Sequence, residues 1–577
     1  MFNKRNLLFS AISFSILLFP ACTPARPVDQ ELNGFGYREV FLPQGIGKKA
    51  QDLDLNSIDI DWGIWGHNLH VTLPEKHSES IYAKINDSAI KSQYCFSSNR
   101  LFDYITQFID DNYAPTDHTR FSIMPNDNDV VCLCIKCVEA GNTEDDASPA
   151  VFNMIKKLSE RYPNHKFFTS DYRTTHSLPK EPLPENAGVI ISAMPYPFSY
   201  NPTREGDKFL ANIDMWKTKT GNILIWDYIN NFDDYFTPYP NLGIMQERLR
   251  NYRKHNVNSV FLNGSGNDAS SFSNLKTIVL AEMLKNPDMD WKKYLNDKAK
   301  ELYPVTGQTI ANFMIAQDDY VRNNNLTLPM YEGVAKASKT YLQPDMFIDF
   351  HENIIALSNQ TPGKEREYID KLLPKLALTR LELNRLSGNL NGSDALLSLM
   401  DGLKTRNVNT YNESGWLVEN YIKDYRYMME HAKESEGKNL LKGESLKALT
   451  PLDPDYSDIT IITDGLLGMP SNYHNGHLIN TPEKQAQISI PKKPDASRMV
   501  VWLSYMPGYK VYLPQSVSLS APGMEKVTVN TTYPKDYLGH YPVEFQLPAN
   551  IEGPFTLTLV KDPERRSIAI EEIEMFQ

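Results

Sequence analysis

Asn222-Ile223-Leu224-Ile225-Trp226-Asp227-Tyr228 is an apolar run closed by an aromatic, an acid and a second aromatic. Its length and its aliphatic content fit a strand buried on both faces, as in a parallel sheet. Working outward, seven further runs of the same kind lie at 36–42, 58–65, 93–97, 120–124, 166–170, 188–194 and 259–263. Between most of them apolar residues recur at three and four positions, which predicts helices over 101–109, 150–161, 209–217, 242–255 and 273–284. The link from the first run to the second shows no clear helix. Alternating strands and helices predict a parallel α/β architecture. Eight strands in about 235 residues match a (β/α)8 TIM barrel, whose active site gathers where the strands end.

The rest of the chain falls into distinct stretches. Residues 34–290 read as the barrel and residues 291–438 as a helical region, with helical spacing at 292–302, 309–322, 364–386 and 415–434. Residues 439–577 carry short β-type runs separated by Pro, Gly and Asn, at 459–463, 487–490, 499–505, 516–520, 525–530, 543–547 and 555–560. They predict a C-terminal antiparallel β-sandwich. At the other end, Lys4 and Arg5 precede an apolar run over 7–19 that suits a signal peptide and is short for a membrane span. The segment 1–22 closes on Phe19-Pro20-Ala21-Cys22, which resembles a bacterial lipoprotein cleavage site. The expectation is an exported protein held in the cell envelope by a lipid on Cys22, with 23–33 as its tether. A plain secretory signal is the other reading.

At 577 residues several domains are expected, and the net charge of -12 disfavours nucleic acid as a partner. An aromatic share of 11% suits a protein that stacks against sugar rings.

Two strand ends carry the candidate chemistry. Pro125-Asn126-Asp127 closes the fourth run and Trp226-Asp227-Tyr228 the seventh. Cleaving a glycosidic bond takes one carboxylic acid to protonate the leaving oxygen and commonly a second carboxylate to attack the sugar or activate water. Asp127 is the expected acid and Asp227 the second carboxylate, although either also suits a cap or loop tie. Arg38, Trp65, His67, Asn126, Tyr172, Trp226, Tyr228, Asn231 and Asn263 sit in or past other strands and supply the directional hydrogen bonds and flat faces that a pyranose requires. A carbohydrate is therefore the expected partner, as substrate or as ligand without turnover. No G-x-S-x-G elbow occurs, and no cofactor is required by this chemistry.

Cys132, Cys134 and Cys137 form a C-x-C-x-x-C segment just after Asp127, and Cys95 lies toward the end of the third run. Together they offer four thiolates, enough for a closed structural zinc site. In an exported protein they equally suit two disulfides. Either bond braces the loop beside Asp127.

Gly36-Tyr37-Arg38-Glu39, Trp65-Gly66-His67-Asn68, Asn126-Asp127 with the three following cysteines, Trp226-Asp227-Tyr228 with Asn231-Phe232, and Pro238-Tyr239-Pro240-Asn241-Leu242 resemble the family called domain of unknown function 4838. The resemblance implies a glycoside-hydrolase-like barrel related to β-N-acetylhexosaminidases and α-glucuronidases. Hexosaminidases place an adjacent Asp-Glu pair after the fourth strand, where this chain has Asn126-Asp127. The segment around Thr463-Asp464-Gly465 resembles the discoidin-like sandwiches appended to such enzymes.

Overall fold

The computed structural model describes residues 34–480, 484–532, 539–549, 551, 553–563 and 567–577. The signal peptide, the tether and Cys22 lie outside the described residues. Two compact units result, one ending at Met330 and including 356–365, the other formed by 331–355 and 366–577.

The first unit is built on seven strands: β1 (Tyr37–Val40), β2 (Trp62–Ile64), β5 (Arg120–Ser122), β6 (Lys166–Asp171), β7 (Ala187–Ser192), β9 (Asn222–Tyr228) and β10 (Ser259–Asn263). They pair in parallel in the order β1-β10-β9-β7-β6-β5-β2. Helices α3 (Asn99–Asn112), α5 (Ser148–Arg161), α6 (Arg204–Lys217), α7 (Leu242–Lys254) and α8 (Ser273–Lys285) occupy the predicted links. The first link holds two short helices, α1 (Lys48–Asp52) and α2 (Ile58–Asp61), and α4 (Ile135–Ala140) precedes α5. The pair α9 (Trp291–Leu302) and α10 (Gly307–Asn323) also lies in this unit, as does a short antiparallel pair of β8 (Phe198–Ser199) with β11 (Thr327–Leu328).

The sheet curls. Tyr37, Trp62, Met124, Phe168, Ile190, Leu224 and Phe261, one from each strand or its end, meet in a single cluster. The edge strands β1 and β2 share no ladder among the described residues. Their side chains bridge them instead: the Trp62 indole N–H donates to the Tyr37 hydroxyl at 2.8 Å, and the two rings meet edge-on at 6.3 Å.

One predicted strand fell elsewhere. The run 93–97 was expected to be the third barrel strand. Gln93 and Tyr94 instead end β4 (Ser88–Tyr94), which pairs antiparallel with β3 (Tyr82–Ile85) in a separate hairpin. Asn86 and Asp87 both take left-handed backbone angles, φ 50° and 60°, and close a two-residue turn whose twist suits a hairpin. The expected eight-stranded barrel is thus a seven-stranded curled parallel sheet.

Glu39 lies on the inner face with Tyr37, wholly buried, and accepts from the Tyr37 hydroxyl and from the Ile58 N–H at 2.8 Å. Burial pushes its carboxyl up to about 8, and those two hydrogen bonds only partly oppose the rise.

Strand alternation turns Trp226 inward and Asp227 outward, onto α7. Asp227 is fully buried, and each oxygen accepts two hydrogen bonds. Oδ1 takes Arg248 Nη2 at 2.7 Å and the Tyr228 N–H at 2.8 Å, and Oδ2 takes Arg248 Nε at 2.9 Å and the Tyr252 hydroxyl at 2.5 Å. Arg248 spends its remaining donors on the carbonyls of Ala193, Tyr196 and Pro197, and its guanidinium lies 4.1 and 4.3 Å from the rings of Tyr196 and Phe198. With no lone pair free and no route to solvent, Asp227 anchors a strand to a helix. Asp227, the expected second carboxylate, is thus turned onto α7 and away from solvent.

The second unit carries α11 (Val334–Ala337), much of α12 (Pro344–Ser358) and α13 (Gly363–Ser387), and all of α14 (Ser393–Asp401) and α15 (Val418–Ser435), followed by two antiparallel sheets. One has the order β12 (Lys447–Ala448), β14 (Gln485–Ile490), β19 (Phe555–Val560), β16 (Ser516–Ser520), β17 (Val527–Asn530). The other runs β13 (Leu478–Asn480), β20 (Ile568–Phe576), β15 (Arg498–Tyr505), β18 (Gly539–Gln546). Ile488, Val501, Leu557, Ile570 and their neighbours from both sheets form one core. The expected strand at 459–463 is a 3-10 turn, Ile459–Ile462, because the Asp458 side chain accepts the Thr460 N–H and starts a helical turn.

Two outcomes follow from these buried charges. Glu39 binds its proton more tightly folded than unfolded, so its contribution to stability is present below about pH 4.5 and is lost as pH rises toward about 8. Glu39→Gln should flatten that decline, as read by urea midpoints between pH 5 and 8. Each tenfold difference in proton affinity between the folded and unfolded chain corresponds to about 1.4 kcal/mol. Asp227→Asn leaves Arg248 buried without its counter-charge and should cost about 3–5 kcal/mol in chemical denaturation. Adding Arg248→Met should recover part of that loss.

Candidate active site

The remaining strand-end residues separate into a cluster that comes together and a set that does not. At the end of β2 the chain turns through Gly66, whose φ of +59° places it in the left-handed region. That turn lays Trp65 against Trp226 at the end of β9, with ring centroids 4.9 Å apart and planes 19° from parallel. Phe261 closes the stack, 4.6 Å from Trp65 and 5.0 Å from Trp226. The Trp226 indole N–H is buried without a protein partner.

Beside the stack, His67 Nδ1 contacts the Pro125 carbonyl at 2.5 Å. That carbonyl can only accept, so Nδ1 is the donor. The His67 ring lies 6.2 Å from that of Tyr172, past β6. Burial, and then the charge of Asp127, push the Tyr172 phenol up. Asp127 accepts from Arg173 Nη1 at 2.9 Å, and Asp129 accepts from Nη2 and Nε of the same guanidinium at 2.9 and 3.0 Å. The Asp127 side chain keeps 17% of its surface exposed and that of Asp129 45%, so both remain reachable. Arg173 itself has a φ of 53°, a costly angle for a residue with a side chain, which aims the guanidinium back over the Asp127 loop.

The loop is held from behind by β4. Gln93 Nε2 donates to the Asn126 carbonyl at 3.0 Å and to Asn128 Oδ1 at 3.1 Å, and Gln93 Oε1 accepts the Asn126 N–H at 2.9 Å. The Asn126 and Asn128 amides both donate to the Ser92 carbonyl. The expected sugar-binding Asn126 is thus engaged as a positioning residue. Further back, Cys95, Cys132, Cys134 and Cys137 gather with all four sulfurs within 4.8 Å of one another.

Other expected site residues are placed otherwise. Arg38 is buried and spent on the carbonyls of Phe35 and Asp54 and on the Asp54 carboxylate. Asn231 is buried in the loop after β9, where its side chain accepts the Asp233 N–H. Tyr228 points inward and shares a hydrogen bond with Ser192 at 3.1 Å. Asn263 is half-buried at the end of β10, and its carbonyl accepts the Ile229 N–H at 2.9 Å. Arg173 follows the fifth run among the polar strand-end groups, whereas Asp129 was not singled out in the sequence. The available signal for Asp129 was the Asp127-x-Asp129 spacing next to a strand end.

Residues 66–314 match the family model described as domain of unknown function (DUF4838). No curated protein matches the chain. Among solved structures, the chain resembles a family GH115 4-O-methyl-α-glucuronidase with specificity for decorated arabinogalactans, at TM-score 0.37 and 10% identity over 84% of this chain and 68% of the other. It also resembles a GH138 enzyme targeting pectin rhamnogalacturonan II, at TM-score 0.30 and 11% identity over 94% of this chain and 84% of the other. A Streptococcus pneumoniae fucose-binding module is similar at TM-score 0.19 and 9% identity, over 24% of this chain and 97% of that module.

Proposed function

We propose that the protein acts on a carbohydrate at the C-terminal end of the curled sheet, as a glycoside hydrolase in which Asp127 is the acid/base. One observation carries this reading: the stacked indoles of Trp65 and Trp226 adjoin a polar cluster of His67, Tyr172, Arg173 and two part-exposed carboxylates. A flat apolar face beside directional donors and acceptors is what a sugar ring requires. With Asp227 committed to Arg248, Asp129 takes its place as the second carboxylate. Both carboxylates bind the one guanidinium of Arg173, which keeps them close together, and hydrolysis by two carboxylates asks for a separation of roughly 5–10 Å. The seven-stranded sheet is read as a variant of the (β/α)8 barrel, and the C-terminal sandwich as a discoidin-like accessory. Residues 1–22 export the chain and a lipid on Cys22 tethers it to the cell envelope.

The burial of Asp227 favours a second reading, a cell-surface protein that binds glycans in the same cleft without turnover.

The test is hydrolysis of aryl glycosides, N-acetylhexosaminides and uronides included, by the mature protein and by Asp127→Asn, Asp129→Asn and Trp65→Ala. Turnover should appear on one glycoside class, fall by about 10²–10⁴-fold in Asp127→Asn, and show a raised KM in Trp65→Ala. No turnover, with glycan binding that Trp65→Ala abolishes, would establish the second reading. Neither turnover nor binding would reject both.

A further inference from the structure

We infer that Cys95, Cys132, Cys134 and Cys137 hold a structural zinc ion that fastens the β3–β4 hairpin to the loop bearing Asp127. The four sulfurs lie within 4.8 Å of one another, and Cys95 Sγ stands 3.7 Å from the sulfurs of both Cys134 and Cys137. A tetrahedral zinc with bonds of about 2.3 Å separates its sulfurs by about 3.8 Å, so the observed spacing is that of the polyhedron's edge. A disulfide brings two sulfurs to about 2.05 Å and leaves other pairs apart. Here Cys95 is equally distant from two partners, so no pairing is singled out.

The backbone around the sulfurs is arranged as a ligand cage. Cys134 is the residue that starts α4, its carbonyl accepting the N–H groups of Cys137 and Val138 at 2.9 and 3.0 Å. That first turn brings the Cys137 sulfur back beside Cys134. The Lys84 N–H points at Cys132 Sγ at 3.3 Å and the Ser97 hydroxyl lies 3.2 Å from Cys137 Sγ. Such contacts stabilise a ligating thiolate and fix its direction. Three of the four cysteines are buried and Cys134 is partly so. Four sulfur donors leave no open coordination position, so the ion braces the fold and does not touch substrate.

The location gives the ion its purpose. Cys95 directly follows β4, and the other three follow the Asp127 loop. The hairpin joins the curled sheet through no ladder among the described residues, and its ties to this loop are the Leu133 N–H on the Lys84 carbonyl and the amides around Gln93. A zinc there joins hairpin and loop where no backbone ladder does. It keeps Asn126, Asp127 and Asp129 in register with Arg173.

The experiment is to purify the mature chain without added metal or reductant, then measure zinc by elemental mass spectrometry, intact mass, and thiol reactivity before and after a zinc chelator. One zinc per chain is expected, with a mass that lacks no hydrogens and four thiols that react only after chelation. Amide exchange should rise in residues 82–97 and 126–142 when zinc is removed. Cys134→Ser should retain well under one zinc per chain. A mass lighter by four hydrogens, showing two disulfides, overturns the site. So does a chain with four thiols and no zinc, or with iron in its place. If Cys134→Ser does not fold, the native metal content and mass decide alone. The outcome is independent of the sugar chemistry, since none of these readouts involves turnover.

Discussion

The Asp227–Arg248 pair is the constraint on which the first unit turns. Two unit charges taken wholly out of water are stabilising only if every donor and acceptor is met. Here each is: four hydrogen bonds to the carboxylate, and Arg248's other N–H groups on three carbonyls. The pair therefore fixes three things at once. It sets β9 against α7, and it holds the turn after β7 through Ala193, Tyr196 and Pro197. Because neighbouring residues of a strand face opposite ways, it also commits Trp226 to the interior. A slip of one residue would bury an indole against α7 and leave an unpaired acid among the aromatics. The register of the strand and the position of the aromatic platform are one choice.

Neighbouring segments repeat the pattern of polar groups consumed by scaffold. Lys276 at the start of α8 is buried and donates to the Tyr239 carbonyl at 2.8 Å, and burial lowers its ammonium to about 7. Asp318 of α10 accepts from the Tyr200 hydroxyl at 2.6 Å and from the Gly243 N–H at 3.0 Å. Asp234 accepts the Phe236 and Thr237 N–H groups and turns the loop between. The blocks 226–232 and 238–242, so distinctive in the sequence, form a buried polar knot around the C-terminal end of β9.

Much of this was legible and the remainder was hidden for physical reasons. Seven of the eight apolar runs became parallel strands, because burial on both faces demands near-continuous aliphatic residues. The run 93–97 failed because its apolar end outweighed the hairpin signal in Ile85-Asn86-Asp87-Ser88. β20 went unread since Glu571, Glu572 and Glu574 break its apolar run. Two of these acids are kept there by partners distant in sequence, Glu571 by Ser504 and His540 and Glu574 by Trp502. The two candidate acids show the same limit. Both end apolar runs, yet one stays part-exposed and the other is buried against a helix. What separates them is Arg248 on α7, twenty-one positions from Asp227 and unmarked by any local pattern.

The contrast between the two acids also explains where chemistry can reside in this fold. On the β9 side the strand end is sealed by an ion pair and a buried loop, so its contribution to a site is reduced to ring faces. On the β2–β5–β6 side the strands pair directly, and past their ends the loops are cross-linked by side chains: Gln93 on Asn126 and Asn128, His67 on Pro125, Arg173 on Asp127 and Asp129. A backbone ladder would have used main-chain groups and left the side chains outward or inward by strict alternation. Side-chain cross-links can hold two carboxylates, an imidazole and a phenol at one level, part-exposed and oriented. These cross-links past the strand ends gather the polar groups on the side of the sheet where Trp65 stacks on Trp226.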